Sequence, residues 1–215
     1  MSFGHPHNNP QLFTALDEIT ASIQEIWVFR WPTELQQLPE AIWQRLSNAC
    51  GDITNPLRLP ALATVSGVAP AIRTVVLRNA DSYQRTLTFF SDSRAQKIAE
   101  LAAKPQIAFL FFDPRDQIQI RASGVATIHR MDAVSVSEWN QLPDSSRLNY
   151  STEMAPGTPI PTPDQNPTDT SGRAHFAVVI AKIHHIEWLQ LSSPFHHRAE
   201  VVFESGQWRG RWIAP

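Results

Sequence analysis

Apolar and polar positions change rhythm several times along this chain. Over residues 11–31 (QLFTALDEITASIQEIWVFRW), Leu12, Leu16, Ile19, Ile23, Ile26 and Trp27 recur at helical spacing, and Pro32 stops the run. A second helix is predicted over 39–49, with Pro39 in its first turn and Gly51 past its end. From Leu59 the period shortens to that of strands. LPALATV, SGVAP and AIRTVVLRNA read as a hairpin turning at Ser66-Gly67, and TLTFFS (86–91) as a third strand. Residues 93–104 return to helical spacing, with Asp92 or Ser93 as N-cap and Pro105 as the stop. QIAFLFFD and DQIQIRASGVATIHR follow as two strands joined around Pro114. In the second, Ile118, Ile120 and Ala122 share one face, and Gln117, Gln119 and Arg121 the other. A helix is predicted over 131–142. Residues 143–173 carry six prolines among small polar residues, so they read as a loop or lid rather than a stable element. Strand rhythm resumes in AHFAVVIAKIHHIEWLQL, RAEVVFES and QWRGRWIA, the last two joined as a hairpin at Gly206.

These elements predict a mainly β protein with inserted helices, an antiparallel barrel of six to eight strands whose closure hides strand edges. Residues 1–38 read as a helical N-terminal extension, and 39–215 as the barrel domain with its Pro-rich loop at 143–173.

Composition narrows the partners. A hydrophobic share of 42% supports a packed core, and a net charge of -2 gives no footprint for nucleic acid or an anionic membrane. Cys50 is the single cysteine, so no internal disulfide forms, and a reducing compartment is expected. The start, MSFGHPHNNP, lacks the pattern of a signal peptide, and no apolar run is long enough to span a bilayer. The expectation is a soluble cytoplasmic protein acting on a small molecule.

Against that near-neutral background, basic residues gather between Arg73 and Gly124. Arg73, Arg78, Arg94 and Lys97 are spaced to converge on one anion. Three of them have a plainer reading: Arg73 and Arg78 as exposed strand ends, Lys97 as a solvated helix residue. Gln119 alternates out of an apolar strand and reads equally as a solvent-facing amide. Trp188 reads as core packing and Arg198 as the cap of a strand edge. His184-His185 and His196-His197 each point their two rings to opposite faces of a strand, and no carboxylate or cysteine spacing completes a metal set. Asp113 and Asp116 flank Pro114 as turn residues.

Order and spacing resemble the FMN-binding split barrel of the pyridoxamine 5'-phosphate oxidase superfamily over roughly residues 58–215. The flavin-lining strand Arg-x-x-Leu-Leu-Lys of that family is matched by Arg73-Thr74-Val75-Val76-Leu77-Arg78. Phe89-Phe90-Ser91-Asp92 leads into Ala95-Gln96-Lys97 where the family has an aromatic-Tyr-Thr-Asn stretch before Ser-Arg-Lys. The interval then runs without gaps to Gln119 and Gly124. Asp144-Ser145-Ser146-Arg147 resembles a Gln-Ser-Ser-Arg stretch lent by the dimer mate, and Trp188, Arg198 and Gly206-x-Trp208 match the C-terminal hairpin.

The resemblance implies FMN, whose phosphate requires Arg or Lys and whose ring faces require flat or apolar cover. It implies phosphate anchors at Arg73, Arg78 and Lys97, with Arg94 in reserve because Gln96 replaces a family arginine. It implies ring contacts from Gln119, Ser145, Trp188 and Arg198, and a homodimer with each flavin between subunits. The chain looks closer to the divergent oxidase-like FMN proteins of cyanobacteria and plants than to the pyridoxamine phosphate oxidases themselves. The family's substrate segment Arg-Leu-His reads here Pro194-Phe195-His196, and its Tyr and Arg on the helix after the glycine read Ser137 and Gln141. His196 is therefore the remaining catalytic candidate, and pyridoxamine phosphate is expected to be a poor substrate. The expected function is hydride transfer from a small substrate to FMN. The alternatives are an NAD(P)H-dependent flavin reductase-like enzyme, a flavin-binding or storage protein without turnover, and haem handling.

Overall fold

The structure, a computed structural model, describes residues 31–32 and 34–215. Apart from Trp31, the helix expected over 11–31 lies outside the described residues. Residues 34–215 pack as one unit.

Helix α1 (Leu38–Gly51) carries the predicted second helix, one residue longer at its start and two at its end. Leu38, Ile42, Trp43, Leu46 and Ala49 recur on one buried face and lie against the sheet. Burying a side chain of this kind stabilises by about 1.5–3 kcal/mol. Trp43 meets Trp208 with ring centroids 6.4 Å apart, tying the helix to the C-terminal hairpin.

Nine strands follow: β1 (Ala61–Ser66), β2 (Ala69–Thr74), β3 (Leu77–Asp81), β4 (Thr86–Asp92), β5 (Gln106–Asp113), β6 (Ile118–His129), β7 (Phe176–Gln190), β8 (His197–Glu204) and β9 (Gln207–Ile213). The expected count of six to eight is corrected upward because AIRTVVLRNA is two strands, not one. Val75-Val76 breaks it. β2 pairs with β1 at one end of the path β2-β1-β5-β6-β7-β4-β3, and β3 pairs with β4 at the other. A run of β-branched residues signals extended backbone but not the point where the pairing partner changes.

All named pairings are antiparallel. β7 is the spine. One edge pairs with β6 along its length, while the other pairs with β4 through Phe176–Lys182 and with β8 through His185–Gln190. The sheet divides there, so inner faces of both branches meet over one core. Leu62, Leu87, Phe89, Phe111, Ile120 and Ile183 fill it. Phe109 stacks on Phe111 at 6.0 Å and takes Phe89 edge-on at 6.2 Å.

β6 shifts register between Ser123 and Gly124. A Cβ at Gly124 would sit 2.7 Å from the backbone carbon of Lys182 and 3.0 Å from Ile183 Cα, so only glycine admits this approach.

Helix α2 (Gln96–Ala103) is shorter than predicted and begins after Ala95 with no side-chain cap. Asp92, expected as its cap, instead accepts the Arg94 N–H at 2.8 Å. Helix α3 (Ala133–Gln141) starts at Asp132, which accepts the Ser135 N–H at 2.9 Å while Ser135 returns a bond to the Asp132 N–H. The segment 143–173 is more ordered than a plain loop. It holds the short helices α4 (Asp144–Arg147) and α5 (Gly172–His175) and a bridge from Thr152 to Thr168. Aromatic contacts explain this order: Tyr150 and Trp139 pack on Phe176 at 5.0 and 5.4 Å.

Candidate functional site

Two polar regions lie at opposite sides of β4. The first is built where β4 runs into α2. Ser91 is the penultimate residue of β4, and Lys97 lies in the first turn of α2 with its Nζ donating to Ser91 Oγ at 3.3 Å. Arg73, on the inner side of edge strand β2, reaches the same neighbourhood. It donates to Glu100 at 2.8 Å and also to Thr64, whose hydroxyl donates to Glu100 at 2.5 Å. Burial pushes the Lys97 ammonium below the usual lysine range, and the nearby Arg73 cation pushes it further. For Glu100, burial acts upward, but hydrogen bonds from Thr64 and Arg73 and the guanidinium charge hold its carboxyl below the usual range. The Lys97 ammonium is thus held against desolvation and the repulsion of Arg73, whose guanidinium is paired with the buried Glu100 carboxylate. An added anion offsets both penalties.

Arg94 is not in this group. Its guanidinium meets Asp92 at 2.7 and 3.1 Å and the carbonyls of Thr152 and Glu153 at 2.9 Å each. All the donors it uses fasten the Pro-rich segment to the end of β4.

Arg78 faces the second region. A register shift between Leu77 and Asn79 in the β3–β4 pairing turns Arg78 and Asn79 both toward a cleft of about 410 Å³ beneath α3. Asp81, Glu138 and Gln141 complete its polar lining, and Phe90, Val178 and Ile180 form part of the apolar wall. The Arg78 guanidinium lies 5.4 Å from the Phe90 ring centroid, and its Nε is buried with no hydrogen-bond partner among the described residues.

The proposed ring contacts separate. Register pairs Phe112 with Gln119, Gln119 with Leu189, and Leu189 with Arg198, so these four share one row on the outer face of the sheet. Trp188, the neighbour of Leu189, necessarily points the other way. It is 2% exposed, between Ile120 and Ala199 in the core, with Trp212 edge-on at 6.4 Å. Arg198 is held by Glu187 at 3.0 Å, and Arg121 meets the other oxygen of that carboxylate at 2.8 Å. Ser145 is exposed on α4. His196 is exposed in the β7–β8 connection, where its Nδ1 accepts the Ser192 N–H at 3.2 Å.

Sequence reasoning missed Ser91 and Glu100 as members of the anion region. The signals were present: Ser91 sits at a strand end six residues before Lys97, and Glu100 lies one helical turn after it. It also missed Asp81 and Glu138, which become neighbours only through the β3–β4 register and the placement of α3.

The residues present fit a flavin phosphate in the first region: the desolvated Lys97 beside Arg73 and the Ser91 hydroxyl provide charge and donors of the right kind. The family model for the pyridoxamine 5'-phosphate oxidase FMN-binding domain matches residues 40–130. A pyridoxine/pyridoxamine 5'-phosphate oxidase of Granulibacter bethesdensis is 32% identical over 148 residues, 57% of this chain and 69% of that protein. A pyridoxamine 5'-phosphate oxidase-related FMN-binding protein of Nostoc punctiforme superposes with a TM-score of 0.68 at 23% identity, covering 82% of this chain and 96% of that one. PhzG of Burkholderia lata, solved with tetrahydrophenazine-1-carboxylic acid, gives 0.66 at 16% identity, covering 89% and 98%. These two superpositions establish the split-barrel fold. With this fold, this family model and this relative, the chain belongs to the pyridoxamine 5'-phosphate oxidase family, and its cofactor is FMN.

Proposed function

We infer that this protein is an FMN-dependent oxidoreductase acting on a small molecule as a homodimer. The observation that carries the reading is the half-buried Lys97 ammonium, which donates to Ser91 at the end of β4 and is destabilised by burial and by the neighbouring Arg73 cation, so that an added anion would stabilise it. In this reading Lys97, Arg73 and Ser91 hold the FMN phosphate. Arg78 stands further along, where the ring and the substrate cleft meet. Gln119 and Arg198 contribute amide and guanidinium donors from the outer row, with Ser145 offered by the partner subunit. Arg94 supports the site from outside by holding the 152–153 backbone.

The dimer is favoured by the same outer face. Ile72, Leu110 and Phe112 are exposed there at 71%, 41% and 44%, alongside Gln119. A contiguous apolar sheet face of this kind is usually covered by another surface. Trp188 supports the fold beneath that face by packing in the core.

Bound FMN supplies a hydride acceptor. The chain's own work is to bind and orient the flavin and to manage a proton. His196 suits the proton role. With Nδ1 occupied by the Ser192 N–H, its neutral ring carries hydrogen on Nε2, free to donate toward a substrate. Among the described residues no helix is long and apolar enough to cross a membrane.

The test is spectroscopic and hydrodynamic. The purified protein is expected to carry or take up FMN in preference to riboflavin, to form a dimer, and to bleach anaerobically with a suitable donor and recover its colour with oxygen. Equal affinity for riboflavin and FMN would remove the phosphate site, and a flavin that no amine, alcohol or nicotinamide reduces would leave a binding protein without turnover.

A further inference from the structure

We propose that the cleft beneath α3 is a binding site for a small zwitterion, its anionic end facing Arg78 and its ammonium end facing Glu138 and Asp81. The inference rests on the oxidoreductase reading only in calling that ligand a substrate; the recognition itself follows from the lining.

The cleft, about 410 Å³, is of the size that takes a single-ring molecule. One wall is apolar, from Val134, Leu142, Val178 and Ile180. Three formal charges share the rest: one cation, Arg78, and two carboxylates, Asp81 and Glu138. Among the described residues no ion pair joins Arg78 to either carboxylate. Arg78 is instead laid against the Phe90 ring with a buried, unpartnered Nε. Asp81 uses Oδ1 to accept the Gln84 N–H at 2.7 Å, which fixes the carboxylate and leaves Oδ2 for a further donor. Glu138, half-buried on α3, has no hydrogen-bond partner among the described residues.

Opposite charges that share a partly desolvated cleft without neutralising one another are complementary to a ligand that carries both. A phosphate dianion would meet two carboxylates at close range, and a simple cation would meet Arg78. Each mismatch is unfavourable in a medium that screens less than water. A zwitterion satisfies both ends, while Asn79, Thr86, Thr88 and Gln141 offer uncharged donors and acceptors between them.

A matched set of one-ring probes tests this: 4-(aminomethyl)benzoate, benzylamine, 4-methylbenzoate and benzyl phosphate, titrated by calorimetry into the full-length protein with and without FMN. The zwitterion is expected to bind at least about tenfold tighter than either singly charged probe, the scale of one charge-assisted contact. Glu138→Gln should reduce it to about the level of 4-methylbenzoate. Glu138→Lys should make benzyl phosphate the tightest of the four, a reversal that a misfolded variant cannot produce. Benzyl phosphate binding tightest to the unaltered protein, benzylamine equalling the zwitterion, or no probe binding at millimolar concentration would each overturn the proposal. Flavin content is read separately from the visible spectrum. A protein that fails to bind FMN but keeps the zwitterion preference refutes the cofactor reading alone.

Discussion

Arg73 on β2 and Glu100 on α2 are joined at 2.8 Å, and the same carboxylate oxygen takes the Thr64 hydroxyl. The guanidinium that should meet an incoming phosphate is therefore already partly neutralised. Glu100 orients Arg73 and at the same time opposes the anion. Glu100→Gln keeps the shape and removes the charge, so FMN should bind tighter by about tenfold, the size of one charge–charge interaction near ~1.4 kcal/mol. Flavin-fluorescence titration measures it. Weaker binding in the variant would mean that orientation of Arg73 outweighs repulsion.

Lys97→Ala removes the donor to Ser91 and a cation that burial holds below the usual lysine range. FMN affinity should fall tenfold to a hundredfold, from the loss of a charge-assisted hydrogen bond of about 1.5–3 kcal/mol. Riboflavin affinity should barely change, and far-ultraviolet circular dichroism should stay that of the unaltered protein.

Arg94→Ala should behave differently. Its contacts are to Asp92 and to the carbonyls of Thr152 and Glu153, so the change should speed proteolytic cleavage between residues 153 and 168. FMN affinity should change far less than in Lys97→Ala. A loss of the same size would place Arg94 among the phosphate ligands.

Asp132 gives a pH signature. The Ser135 backbone N–H lowers its carboxyl to about 2, helped by His129 and the Ser135 hydroxyl, against an ordinary 3.8. A folded-state pKa below the unfolded value means that the stabilisation is complete above about pH 4 and is lost as pH falls through about 2. Asp132→Asn keeps a capping oxygen without the titration. Its urea midpoint should therefore fall less than that of the unaltered protein between pH 5 and pH 2.5. Identical acid limbs would mean that the cap contributes no pH dependence.

Gly124→Ala forces a methyl group into the backbone of Lys182 and Ile183, where the neighbours are main chain and cannot swing aside. The expected cost is about 1–3 kcal/mol or more, read as a lower denaturation midpoint. Unchanged stability would show that β6 and β7 separate easily at the bulge.

These outcomes also measure how far the sequence could be read. Alternation in QIAFLFFD and DQIQIRASG located β5 and β6 almost to the residue, because one buried face imposes a strict period of two. AIRTVVLRNA was read as one strand because Val75 and Val76 favour extended backbone whether or not a partner is present. The four basic residues Arg73, Arg78, Arg94 and Lys97 look alike along the chain but fall into three environments. Arg73 and Lys97 share an anion region, Arg94 fastens a segment, and Arg78 faces a cleft. Pairing partners across the sheet decide this, and no local spacing encodes them. Trp188 shows the same limit. The resemblance groups it with Arg198 as a ring contact, whereas strand parity sends the two side chains to opposite faces.

The closed neck of the Pro-rich segment has a practical consequence. The Thr152–Thr168 bridge, with the Glu153 N–H on Pro167 O at 3.0 Å and the Asp169 N–H on Ser151 O at 2.9 Å, fixes both ends of the excursion between them. Within it Gly157 has φ +90 and open space where a side chain would begin. Residues spliced in beside that glycine lengthen a loop whose ends are already joined, and each doubling of a flexible loop costs only about 0.6 kcal/mol of closure entropy. Gly157 is thus a graft point, where an epitope or a small guest domain can be carried while the strands beneath keep their register.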